Sequence, residues 1–223
     1  MRIAFLGDSL TEGRPGESFL TRLRALLPGD ELLNHGRAGD TVPALLARLQ
    51  HTALPPVDLA VVWIGVNDAF LGDWYLPPLD DLGVGGGAGG AGGPAAHPER
   101  PIYERLLDLT LRRSPLALCV PPVLPDPFEQ DGVAERVAAL RAMVADAAAA
   151  HAPQTRLFDL APAFAAAAGT AGAAGAAGAA GAAGGGFTID GVHLSARGAD
   201  VVAAAFGDLI ATVRGERLGL GEP

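Results

Sequence analysis

The first stretch that could do chemistry is Gly7-Asp8-Ser9-Leu10, which directly follows a short apolar run at residues 2–6. The run has the composition of a first β-strand, so Ser9 falls where a strand ends and the chain turns toward a helix. A serine there can present its hydroxyl at the carboxyl edge of a parallel sheet, and the following helix N-terminus offers N–H groups to an oxyanion. Ser9 is therefore a candidate nucleophile, with a helix-capping Asp/Ser pair as the alternative.

Three further stretches carry polar residues behind apolar segments or near the end of the chain. They are Asn34 to Thr41, Gly65 to Asp68 and Asp190 to Ser195. In the last stretch, a tight turn eased by Gly191 would bring the side chains of Asp190 and His193 together. Imidazole titrates near neutral pH and suits the base that activates a serine, and a neighbouring carboxylate fixes its tautomer. The alternative is a simple turn, with His193 at the surface.

Taken together and in this order, the four stretches resemble the sequence blocks of the SGNH/GDSL hydrolase superfamily. The resemblance runs from residue 7 to residue 195, apart from two low-complexity tracts. The four residues that give the superfamily its name would be Ser9, Gly39, Asn67 and His193. The resemblance implies a three-layer α/β/α fold of the flavodoxin-like kind, with a mainly parallel five-stranded sheet.

The resemblance also implies a role for each residue. Ser9 would form an acyl intermediate, with His193 as base and then acid and Asp190 as its orienting carboxylate. The oxyanion hole would consist of the backbone N–H groups of Ser9 and Gly39 and the side-chain amide of Asn67. We therefore expect a serine esterase acting on carboxylic esters, without cofactor or metal. For Gly39 and Asn67, ordinary turn residues are the alternative.

Other functions stay open at this point. A thioesterase or an acyltransferase would use the same groups, because the machinery does not depend on the leaving group. A non-catalytic binding module on the same fold is an alternative from another class, and a structural protein built on the Ala-Ala-Gly repeat is a third. Phe70 and Trp74, in a predicted loop after Asn67, are candidates for lining an acyl pocket or forming a lid. Ordinary packing is the alternative for both.

The elements that must position these residues follow from the apolar pattern. Strand-like runs alternate with helical patterns, which favours a parallel sheet covered on both faces. Strands are predicted at 2–6, 31–34, 59–64, 116–120 and 155–158. Helices are predicted around 19–27 and 45–49, over 102–113 and 133–150, and after Ser195, which could cap the last one. The four polar stretches then lie in loops that gather at one edge of the sheet.

Length and composition bound the organisation of the chain. We expect a single domain over residues 1–223, since this length suits one α/β domain. Two tracts rich in Gly and Ala, at about 83–96 and 165–186, can bury little apolar surface, so flexible loops are predicted there. The second tract is uncharged, but Ala and Gly gain too little transfer free energy for stable membrane insertion.

Charge and the remaining polar residues exclude other classes of function. The formal net charge of −9 and the lack of a basic run argue against nucleic acid as a partner. Cys119 is the single cysteine and lies in a predicted strand, so no intrachain disulfide is expected. The remaining histidines lack the spacing of metal ligands. No signal peptide is visible, which favours a cytoplasmic protein acting on a small-molecule ester, of unknown oligomeric state.

Overall fold

The computed structural model describes residues 1–52, 54–71, 100–172 and 186–219. Its strands are β1 Arg2–Gly7, β2 Glu31–Gly36, β3 Leu59–Trp63, β4 Ala117–Val120 and β5 Thr155–Leu157. They form one sheet in the order β2-β1-β3-β4-β5, and each neighbouring pair is parallel. This is the strand order of flavodoxin-like folds, so the predicted fold class is confirmed.

The helices lie between and after these strands. In the described part of the chain they are α1 Ser9–Glu12, α2 Phe19–Leu26, α3 Val42–His51, α4 Val66–Leu71, α5 Arg100–Leu111, α6 Val133–Ala150, α7 Ala161–Gly172 and α8 Ala196–Gly219. Each predicted strand and helix is present, with ends that differ by a few residues. No described helix is both long and apolar enough to cross a lipid bilayer.

The sheet is buried on both faces, as the apolar strands predict. Along β1, Ile3 and Phe5 belong to one core cluster, whereas Ala4 and Leu6 belong to the other. Because successive side chains of a strand point to opposite faces, this alternation shows two separate cores. Helices α2 and α8 cover the first face, and α3, α5 and α6 cover the second. The result is the three-layer α/β/α arrangement.

A cluster of aromatic rings fixes α8 to the sheet. The ring centroid of Phe206 in α8 lies 5.5 Å from that of Phe5, 5.4 Å from Phe19, 6.3 Å from Trp63 and 5.4 Å from Phe158. All but Phe158 are fully or almost fully buried, and truncating such a side chain typically costs about 3–5 kcal/mol. Since α8 follows the Asp190 to Ser195 stretch directly, the cluster also anchors the end of that stretch.

The predicted loop at 165–186 is wrong in its first part, because α7 extends through Gly172. Alanine has the highest helix propensity of all residues, so a run of alanines continues a helix once it has started. The start is fixed by Asp159, whose carboxylate accepts a hydrogen bond from the N–H of Ala161 at 2.9 Å, and by buried Phe164. The rest of this tract before Gly186, and the tract at 83–96, lie outside the described residues.

Candidate active site

Ser9 is the first residue of α1, the single helical turn that follows β1. Asp8 caps this turn, with its carboxylate accepting a hydrogen bond from the N–H of Leu10 at 3.0 Å. Gly13 ends the turn in the left-handed conformation and donates its N–H to the carbonyl of Ser9 at 2.8 Å. The capped turn holds Ser9 at the carboxyl end of a central strand, with only 3 % of its surface exposed.

The structure brings Ser9, His193 and Asp190 together. Oγ of Ser9 lies 3.0 Å from Nε2 of His193, and Nδ1 of His193 lies 2.6 Å from Oδ2 of Asp190. When Nδ1–H donates to the carboxylate, Nε2 is left with its lone pair toward the serine hydroxyl. This is the arrangement in which imidazole can accept a proton from serine.

Asp190 is held by the turn that it begins. Its Oδ1 accepts hydrogen bonds from the backbone N–H of Val192 at 3.0 Å and of His193 at 2.8 Å. Partial burial on its own would raise the pKa of Asp190, but the hydrogen bonds from the ring and backbone of His193 and from Val192 outweigh it and lower the pKa. Asp190 is therefore ionised at neutral pH, as an orienting carboxylate must be.

Asn67 contacts the loop that contains Gly39. The Nδ2 amide of Asn67 donates to the carbonyl of Asp40 at 2.8 Å, which fixes the amide beside Gly39. The loop before Gly39 is tied to α1, because the N–H of Ala38 donates to Oε2 of Glu12 at 2.6 Å. Among the described residues, no protein acceptor takes the N–H of Ser9 or of Gly39 or the second N–H of Asn67.

Three buried carboxylates, those of Asp8, Asp40 and Asp68, lie close enough together for their charges to interact. Asp40 forms an ion pair with Arg48 at 2.6 Å, and Asp68 accepts the N–H of Val42 at 3.1 Å. Burial raises the pKa of Asp8 to about 7, and the nearby charges of Asp68 and Asp40 act in the same direction. Asp8 and Asp68 each hold a backbone amide at the start of a helix, that of Leu10 in α1 and that of Val42 in α3.

Phe70 differs from expectation in its local structure. It was expected in a loop, but α4 extends through it, because this apolar stretch packs against both cores. Its ring makes an edge contact with Phe128 at a centroid distance of 5.0 Å. Phe128 in turn covers Gly191, where any Cβ would lie 2.5 Å from the phenyl ring. Trp74 lies outside the described residues.

Sequence reasoning missed two residues in the loop between β4 and α6. They are Phe128 and Asp126, whose Oδ2 accepts the N–H of Thr188 at 2.7 Å and its hydroxyl at 2.5 Å. Neither belongs to the four polar stretches, and each contacts a residue about sixty positions away. No local signal pointed to them.

The site is built from protein side chains and backbone groups. In the parts of the chain that the structure describes, no group of three or more His, Cys, Asp or Glu could hold a metal ion. Cys119 is buried in β4 with a free thiol, as expected, and burial raises its pKa to about 11. It therefore offers no reactive thiolate at neutral pH.

Fold and site together define a class, that of the three-layer α/β/α proteins with a serine, a histidine and an aspartate in contact at the carboxyl end of the first strand. The model of the GDSL-like lipase/acylhydrolase family matches residues 5–201 of this chain. The chain therefore belongs to the GDSL-like lipase/acylhydrolase family. Membership supports a hydrolase that acts on ester bonds. No curated protein matches the chain.

Solved structures of similar fold cover nearly the whole chain. LAE5, an α/β hydrolase from the metagenome of Lake Arreo in Spain, is 22% identical with a TM-score of 0.64, and the match covers 92% of each chain. Axe2, an acetylxylan esterase from Geobacillus stearothermophilus, is 23% identical with a TM-score of 0.61, over 92% of this chain and 91% of the other. A possible lipase from Chitinophaga pinensis is 17% identical with a TM-score of 0.65, over 95% and 98%. At these identities the similarity concerns the fold.

Proposed function

We propose that the protein is a serine esterase that hydrolyses carboxylic esters through an acyl-Ser9 intermediate. The observation that carries the proposal is the continuous chain of two hydrogen bonds from Ser9 Oγ through His193 to Asp190, with lengths of 3.0 and 2.6 Å. A serine hydroxyl is a weak nucleophile at neutral pH and needs such a base within hydrogen-bond distance.

In the first half of the reaction, Nε2 of His193 takes the hydroxyl proton as Oγ of Ser9 attacks the ester carbonyl carbon. The carbonyl oxygen of the tetrahedral intermediate becomes negative. The N–H groups of Ser9 and Gly39 and the second N–H of Asn67 would donate to it. Collapse breaks the bond to the alcohol oxygen, which receives the proton from His193 and leaves as the alcohol.

In the second half, a water molecule attacks the acyl-Ser9 ester. His193 accepts a proton from this water, the same donors stabilise the second oxyanion, and the acid leaves as Oγ regains its proton. Asp190 remains ionised throughout and holds Nδ1–H of His193. We assign Phe70 to one wall of the acyl site, and its position one helical turn after Asn67 supports this assignment. Trp74 lies outside the described residues and stays a predicted substrate-binding residue.

The test is hydrolysis of p-nitrophenyl esters from acetate to palmitate, together with acetylated xylan, because Axe2 is described as an acetylxylan esterase. Ser9→Ala is compared with the wild type and with Ser18→Ala, a control serine that makes no side-chain hydrogen bond to its helix. We expect ester hydrolysis that only Ser9→Ala abolishes. Wild-type inactivity on every ester, or an active Ser9→Ala variant, would contradict the proposal.

A further inference from the structure

The segment that carries Asp190 and His193, residues 186–195, is closed on itself by hydrogen bonds, and we refer to it as the His193 loop. Oγ of Ser195 donates to the carbonyl of Gly186 at 2.7 Å, and the N–H of Ser195 donates to that of Phe187 at 2.9 Å. The N–H of Ile189 donates to the carbonyl of His193 at 2.8 Å. These bonds define the shape of the loop, but they do not place it against Ser9.

Asp126 provides an anchor on a different element. Its Oδ2 accepts both the N–H and the hydroxyl of Thr188, and the same hydroxyl oxygen accepts the N–H of Gly191 at 3.1 Å. The contact is close, since a Cβ at Gly186 would lie 2.9 Å from Asp126 Oδ2. A chain of hydrogen bonds thus runs from the loop after β4 to the residue next to Asp190.

The loop between β4 and α6 also contacts the Asp190-Gly191 turn at a second point. Phe128, two residues after Asp126, packs its ring against Gly191. From the segment between α1 and α2, the N–H of Glu17 donates to the carbonyl of Leu194 at 2.9 Å. Among the described residues, Thr188 is the one hydrogen-bond partner of the Asp126 carboxylate, and no cation pairs with it. The hydrogen bonds that the Asp126 carboxylate accepts from described residues therefore all come from the His193 loop.

We infer that Asp126 is a positioning residue for the ester hydrolysis proposed above, acting through Thr188 on the Asp190-Gly191 turn. A carboxylate suits this place because it accepts two hydrogen bonds from one residue, and charge-assisted bonds are the stronger ones. The inference rests on the proposed function, because it assigns Asp126 to the alignment of His193 with Ser9. A misplacement of about 1 Å in such a group can cost about 100-fold in rate.

The experiment compares four variants on the best p-nitrophenyl ester. Asp126→Asn and Thr188→Val remove the charge and the hydroxyl, whereas Thr188→Ser keeps the hydroxyl. Asp131→Asn is the matched control, because Asp131 lies in the same loop, is exposed and has no partner among the described residues. We expect Asp126→Asn and Thr188→Val to lower kcat about 10- to 100-fold with KM nearly unchanged. Thr188→Ser and Asp131→Asn should stay near the wild type.

A double-mutant cycle with Asp190→Ala separates positioning from general destabilisation. If Asp126 acts through Asp190, Asp126→Asn should cause little further loss in the Asp190→Ala background. An equal fold-loss in both backgrounds, or wild-type kcat in Asp126→Asn, would overturn the inference. Failure of the proposed function is recognised separately, since Ser9→Ala would then be as active as the wild type.

A readout that does not depend on activity completes the test. In the wild type, the Nδ1 proton of His193 should give a low-field NMR resonance because it lies in a short hydrogen bond to Asp190. Asp126→Asn should shift or broaden this resonance while the circular dichroism spectrum stays native. An unchanged resonance in the folded variant would also overturn the inference.

Discussion

The two halves of the candidate active site are held in different ways. The half with Ser9 and Asn67 lies on short helices that follow the central strands β1 and β3, and Ser9 is 3 % exposed. The half with Asp190 and His193 lies on an irregular loop, where the two side chains are 45% and 22% exposed. The comparison teaches that the nucleophile is fixed by the core, whereas the base is fixed by the backbone and side-chain hydrogen bonds of its loop.

This difference has a physical origin. A residue at the end of a buried strand inherits the rigidity of the sheet, because moving it would disturb close-packed side chains. Phe187 and Leu194 of the His193 loop are buried, but Asp190 and His193 lie between them on an irregular segment, and polar contacts such as that of Asp126 with Thr188 hold this segment. We therefore expect mutations in the two halves to differ in how far they change the free energy of unfolding and how far they change kcat.

The largest effect is expected from His193→Ala, which removes the base. Without it, Ser9 has no acceptor for its proton, and we expect kcat to fall about 10⁴–10⁶-fold. Steady-state hydrolysis of a p-nitrophenyl ester measures the loss. His151→Ala is the control, because His151 lies at the end of α6 and takes no part in the contacts among Ser9, His193 and Asp190. A loss below tenfold in His193→Ala would mean that another group is the base.

Asn67→Ala should have the next largest effect, because it removes a proposed oxyanion donor. Loss of one such donor lowers kcat about 10²–10³-fold in serine proteases. The same ester assay, with KM measured in parallel, separates this loss from weaker substrate binding. If only KM rises, Asn67 binds the substrate and does not stabilise the oxyanion.

Matched glycine substitutions compare the two halves directly. Gly39 and Gly191 have positive φ values of 81° and 90°, so alanine is strained at both, by about 1–2 kcal/mol. At Gly39 a Cβ meets no described atom within 4 Å, whereas at Gly191 it lies 2.5 Å from Phe128. We expect Gly191→Ala to reduce the free energy of unfolding more than Gly39→Ala, in denaturant titrations of both. Equal losses would show that Phe128 moves aside freely.

A pH dependence of stability is also expected from Asp8. Its folded pKa is about 7 and its ordinary value is 3.8, so the native state holds a proton that the unfolded state releases between these pH values. This group therefore lowers stability as pH rises from about 4 to 7. Relative to the wild type, Asp8→Asn should gain about 1 kcal/mol per pH unit across this range, measured by denaturant titration at several pH values. A constant difference would contradict the assigned cause.

Much of the fold was predictable because local patterns determine it. Apolar runs located the strands, and helical spacing located α2 and α6. Helix α7 was missed because alanine and glycine carry no amphipathic pattern, although alanine favours helix. In the site, Ser9, Asp190 and His193 lie in recognisable stretches and do lie together. Asp126 and Phe128 act across long sequence separations, which local patterns do not encode.

The central claim is that Ser9 is the nucleophile, and covalent trapping tests it most directly. A fluorophosphonate reacts with an activated serine and leaves a stable phosphonyl adduct. Intact-mass spectrometry and peptide mapping of the labelled wild type should find one adduct, on the peptide that contains Ser9, and none in Ser9→Ala or His193→Ala. No adduct on the folded wild type, or an adduct on a different serine, would contradict the account.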